Sequence, residues 1–125
     1  MNTNSTNLAL AENYYRHMLA KNFDAMAECL HSDIEFIGPL SEMRGRKPVA
    51  EAARNLSAIL HNIEIRSRFS DGNQIMFAYD LIFPDPIGKL RAAVLMDFRE
   101  NLIAKIELFY DARPFEERKS EIFRN

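Results

Sequence analysis

A chain of 125 residues is long enough for one domain and too short for two. With 47% hydrophobic residues, 27% charged residues and a formal charge of -2, it has globular composition and lacks the basic excess of a general nucleic-acid binder. Its one cysteine, Cys29, excludes an internal disulfide and a cysteine metal cluster.

The first seven residues are polar and are expected to be disordered. They show no basic segment followed by an apolar stretch, and no run of about 18 apolar residues occurs anywhere. Neither a secretory leader nor contact with a membrane is therefore expected, and the lone thiol suits a cytoplasmic protein. Leu8, Ala11, Tyr15, Met18 and Leu19 follow helical spacing, which predicts a helix over 8–20 with Tyr14 at the edge of its apolar stripe. Asn22 suits the left-handed turn that ends it. Phe23, Met26, Ala27 and Leu30 predict a second, short helix, on which Cys29 reads as a small buried apolar residue. Residues 34–37 predict a strand stopped by Gly38-Pro39, and 40–47 a loop. Pro48 suits the first turn of a third helix with Val49, Ala52, Ala53, Leu56 and Leu60 on its buried face.

Beyond residue 60 the apolar period changes from 3.6 to 2. Ile63, Ile65, Ser67 and Phe69 alternate with Glu64, Arg66 and Arg68, and Asp71-Gly72 makes a hairpin turn. Phe77, Tyr79 and Leu81 follow on one face of the next strand. The third long strand puts Leu90, Ala92, Val94, Met96 and Phe98 inward, with Arg91, Leu95, Asp97 and Arg99 outward. After Glu100-Asn101 the last strand puts Leu102, Ala104, Ile106, Leu108 and Tyr110 inward, with Ile103, Lys105, Glu107 and Phe109 outward. Hairpin connections predict an antiparallel sheet, with the helices covering one face in an α+β fold. The outer face mixes charge with Leu95, Ile103 and Phe109, so a homodimer through that face is expected.

Several local patterns then resemble the nuclear transport factor 2-like superfamily, in its SnoaL-like and ketosteroid-isomerase-like branch. They are YYRHMLAKNFDAM at 14–26, HSDIEFIGP at 31–39, Gly45-Arg46 before the third helix, and IELFYD at 106–111. The resemblance covers residues 8–112, leaving 113–125 as a tail or short helix. It implies a cystatin-like roll: a cone-shaped curved sheet wrapped around the N-terminal helices, with a pocket for a polyketide, steroid or terpenoid-like molecule. It further implies a cofactor-free isomerase, cyclase or hydrolase. A non-catalytic ligand binder and a homodimeric association domain are the alternatives. Ketosteroid isomerases use an aspartate base with a tyrosine and a protonated aspartate as oxyanion hole. Tyr14 matches that tyrosine, but Gly38 and Val94 occupy the two aspartate positions, so that mechanism is not expected. Asp111 is the remaining acid/base candidate by likeness to SnoaL-like cyclases, unless it pairs with Arg113 or caps the C-terminal segment.

The expected pocket is lined by Tyr14, Met18, Phe36, Phe77, Tyr79, Leu81, Val94, Met96, Ile106, Leu108 and Tyr110. A buried tyrosine hydroxyl needs a partner, so Tyr14, Tyr79 and Tyr110 are the groups to orient a ligand. His17, His31 and His61 lack metal-ligand spacing, and His17 and His31 are placed at helix ends or surfaces. No metal and no cofactor is expected. Phe115, Ile122 and Phe123 need cover, at the pocket mouth, on a partner or on the chain's own sheet.

Overall fold

The computed structural model describes residues 3–118. Helix α1 (Thr3–Leu19) is followed by α2 (Phe23–Glu28), β1 (Leu30–Ile37), β2 (Glu42–Arg44) and α3 (Arg46–Ile59). A meander of β3 (Asn62–Asp71), β4 (Gln74–Ile82), β5 (Lys89–Arg99) and β6 (Leu102–Tyr110) comes next, and a 3-10 helix, Arg113–Arg118, ends the described chain. The helices pack on one face of a curved six-stranded sheet, giving the α+β class that the period change predicts.

Several boundaries differ from the periodicity. Helix α1 starts at Thr3, not Leu8, and Asn7 is buried, so residues 3–7 are not a disordered tail. The first turns are built from Thr3, Asn4, Ser5, Thr6 and Asn7, which give an apolar stripe nothing to report. Lys21, not Asn22, takes the left-handed conformation, and Asn22 instead caps α2 by accepting the Ala25 N–H. Leu30 opens β1 rather than closing α2, and a short strand, β2, sits in the expected loop.

The strand order is β2-β1-β6-β5-β4-β3. Every neighbouring pair is antiparallel except β1 with β6, which run parallel. The sheet is therefore mixed, not antiparallel as the hairpins predict. Helix α3 and the meander separate β1 from β6, and the returning chain lies alongside β1 in the same direction.

Two bulges reset the alternation. Ile65 faces Tyr79 while Ser67 faces Ala78, which leaves Arg66 as an extra residue in β3. Beyond it the faces exchange: Arg68 sits opposite the inward Phe77 and pairs with Glu12 of α1, while Phe69 turns outward and is 61% exposed. In β6, Asp97 faces Lys105 but Phe98 faces Ile103, so Ala104 is extra. Ile103 is consequently fully buried, and Leu102 and Ala104 lose the inward places that strict alternation assigns them. Between the helices and the sheet, Met26, Leu30, Ile34, Ile75, Phe77, Val94, Met96 and Ile103 form a sealed core. Each such large apolar side chain gains about 1.5–3 kcal/mol on burial.

Candidate ligand-binding site

An apolar hollow lies between α1, α3 and the concave face of the sheet. Its deep end is formed by Tyr14, Tyr15 and Met18 of α1 with Tyr79 and Leu81 of β4. The stripe of α3 that the sequence marks as buried supplies one wall: Val49, Ala52, Ala53, Leu56 and, just beyond the helix, Leu60. Phe36 of β1 and Ile106, Leu108 and Tyr110 of β6 supply the other. Ile63, Phe83 and Leu90 complete the sheet side, and Phe115 of the 3-10 helix closes over them. The half-buried residues Phe36, Ala52, Leu56, Ile63, Leu108 and Tyr110 form the rim, and Tyr14, Tyr15, Met18 and Tyr79 the buried floor. The open volume is about 60 Å³, against roughly 300 Å³ and more for sites that hold drug-sized ligands.

Eight of the residues expected in the pocket are brought together here: Tyr14, Met18, Phe36, Tyr79, Leu81, Ile106, Leu108 and Tyr110. Phe77, Val94 and Met96 are not. They face inward as alternation predicts but are sealed at 0% exposure, with Phe77 beneath the Tyr15 ring at a centroid distance of 6.4 Å. Alternation reports which face a side chain takes and says nothing of its depth. Tyr15 and the α3 stripe were legible as helix faces but not as pocket walls, because only packing sets the gap between the layers.

Asp111 stands outside the hollow, exposed at the end of β6. Its Oδ1 accepts the Arg113 backbone N–H at 3.0 Å, and its Oδ2 accepts from the Arg113 guanidinium at 2.6 Å. These bonds hold its carboxyl down at about 2. It is a clasp on the turn, not the acid/base group of a pocket. Arg91, Asp97 and Glu107 also lie off the hollow, with Asp97 accepting from Gln74 at 2.8 Å.

The polar content of the hollow is tyrosine. The Tyr15 and Tyr79 hydroxyls are 3.0 Å apart, their rings meet edge-on at 5.4 Å, and Tyr14 stacks edge-on against Tyr15 at 5.1 Å. Burial pushes the Tyr14, Tyr15 and Tyr79 hydroxyls far above the usual phenol value, and burial raises Tyr110 to about 12. All four stay protonated near neutral pH. One proton lies between the Tyr15 and Tyr79 oxygens, so the accepting hydroxyl keeps its own proton to donate to a third atom. Among the described residues that line the hollow there is no carboxylate, imidazole, ammonium or thiol. The arrangement can orient a carbonyl or hydroxyl, and these residues offer no base to remove a proton at neutral pH.

Gly38, which the resemblance matches to the first of the two aspartates, follows β1; a side chain there would bring its Cβ within 3.1 Å of the Phe36 ring on the rim. Val94, at the second, is sealed in the core. His31, expected at a helix end or surface, is instead buried on β1, with Nε2 at 2.8 Å from Glu100 and Nδ1 accepting the Asp33 N–H at 3.0 Å. Among the described residues no three of His, Cys, Asp or Glu gather as metal ligands, and no helix is long and apolar enough to cross a membrane. Ile122 and Phe123 lie outside the described residues.

The sequence model of the SnoaL-like domain matches residues 11–106. No curated protein matches the sequence. Among solved structures, an NTF2-like protein of unknown function from Cytophaga hutchinsonii superposes with a TM-score of 0.77 at 18% identity, covering 87% of this chain and 93% of that one. A putative ketosteroid isomerase from Kribbella flavida gives 0.74 at 16% identity, covering 86% and 79%. A de novo designed protein with a curved β-sheet gives 0.84 at 19% identity, covering 98% and 97%. At these identities the likeness concerns the fold, and a designed scaffold shares it as fully as natural proteins do.

Proposed function

Because the chain belongs to the SnoaL-like domain family, we propose that it binds a compact, mainly apolar molecule in the hollow, held by the tyrosine hydroxyls. The observation that carries this reading is the lining itself: an apolar wall with the bonded Tyr15–Tyr79 pair at its floor. Sites of this kind use a few polar groups to fix orientation and apolar surface for affinity. A volume of about 60 Å³ favours a ligand smaller than the steroid or polyketide that the resemblance implies. The lack of a base among the described lining residues favours binding over isomerase, cyclase or hydrolase chemistry. The test is titration with 4-fluorophenol followed by fluorine NMR. A ring with one hydroxyl should bind with a dissociation constant on the order of 1 mM or tighter. No binding by that probe, together with no compound released on heat extraction of the purified protein, would overturn the reading.

We also infer that the outer face of the sheet pairs with a second copy of the chain. Two adjacent rows cross that face: Phe69, Met76, Leu95 and Glu107, and Ser67, Ala78, Ala93 and Phe109. Phe69 and Phe109, 61% and 45% exposed, stand at opposite ends with the two alanines between them. A two-fold axis would seat each copy's ring over the other copy's small residues. Sedimentation should give a dimer that Phe109→Glu converts to monomer. A wild-type monomer at high micromolar concentration would rule the pairing out.

A further inference from the structure

Resting on the ligand-binding reading above, we propose that Phe115 is a removable plug, and that the ligand is a single-ring compound whose ring takes its place. Three observations converge on this residue. Its ring is 2% exposed, lines the hollow, and packs edge-on against Phe83 at 5.0 Å and Tyr110 at 5.7 Å. It thus occupies an aromatic slot of the kind a flat ligand would use. The element that carries it is the 3-10 helix Arg113–Arg118. Within it Arg113 and Pro114 are exposed while Phe115 turns inward and is buried. Finally, the turn before it is clasped locally. Asp111 binds both the backbone and the guanidinium of Arg113, and the Phe115 N–H bonds the Ala112 carbonyl at 2.9 Å. The clasp would keep the chain at the rim when the ring withdraws.

Volume points the same way. An apolar cavity of about 150 Å³ accepts benzene, more than twice the space open here. Withdrawing a phenyl group from the slot adds about the space that one ring needs. The ligand ring would then lie between Phe83 and Tyr110. The plug sets the size limit of the site and competes with the ligand, so apparent affinity falls by the fraction of molecules with the slot closed.

Two variants test this. Phe115→Ala should bind 4-fluorophenol about tenfold more tightly than the natural chain, because no side chain must leave. The chain has no tryptophan, so Phe115→Trp provides a single fluorescent reporter on a side chain that still fills the slot. Its emission should be that of a buried indole and should shift to the red as 4-fluorophenol binds. If the probe binds the natural chain and Phe115→Ala equally, or binds Phe115→Trp with unchanged emission, the plug is overturned and the pocket stands. If the probe binds neither the natural chain nor the variants, the plug is overturned; if heat extraction of the purified protein also releases no compound, the pocket fails with it.

Discussion

Truncating Ile103 to alanine should lower the unfolding free energy by about 2–5 kcal/mol, whereas Leu102→Ala should cost well under half of that. Strict alternation along the last strand predicts the reverse, since it places Leu102 inward and Ile103 on the outer face. The extra residue at Ala104 exchanges them: Ile103 pairs with the inward Phe98 and is fully buried, while Leu102 pairs with the exposed Arg99. Deleting a buried branched side chain removes its transfer free energy and leaves a cavity that close-packed neighbours fill only in part. Urea denaturation of the two variants, with unchanged dependence on denaturant, checks the ranking. Equal costs, or a larger cost at Leu102, would mean that β6 is not bulged at Ala104.

Tyr15→Phe and Tyr79→Phe should each cost about 1–3 kcal/mol, and the double variant should cost less than their sum. Their hydroxyls are bonded to each other at 3.0 Å in a lining whose other side-chain polar groups are the Tyr14 and Tyr110 hydroxyls. Removing one deprives the other of this bond, while removing both leaves two phenylalanines of nearly unchanged shape. A double-mutant cycle by denaturation isolates the coupling, and strictly additive costs would show that the two hydroxyls do not act as a pair. The same variants bear on binding. Loss of one neutral hydrogen bond is worth about 0.5–1.5 kcal/mol, so each single variant should bind 4-fluorophenol about two- to thirteenfold more weakly. Undiminished binding in both would place the ligand oxygen elsewhere in the hollow.

Much of this protein is written locally. The i, i+3, i+4 stripes of α1 and α3 and the alternation along β4 and β5 each report one face of one element, and neighbouring residues alone determine them. They suffice for the α+β class, for the inward set from Leu90 to Phe98, and for eight residues of the hollow. The residues that escaped them were settled by distant parts of the chain. Arg66 and Ala104 bulge because the partner strands hold a register that skips one residue, so Phe69 moves outward and Ile103 inward. The parallel pairing of β1 with β6 depends on where the meander returns. Phe77, Val94 and Met96 are core rather than pocket because the packing around them leaves no surface open, and Phe115 is wall rather than tail because a slot between Phe83 and Tyr110 receives it. Asp111 looks like an acid near a pocket until Arg113 folds back upon it. Periodicity is a property of a segment with itself. Depth, register and the pairing of charges are properties of segments with one another, and only the folded chain brings those segments together.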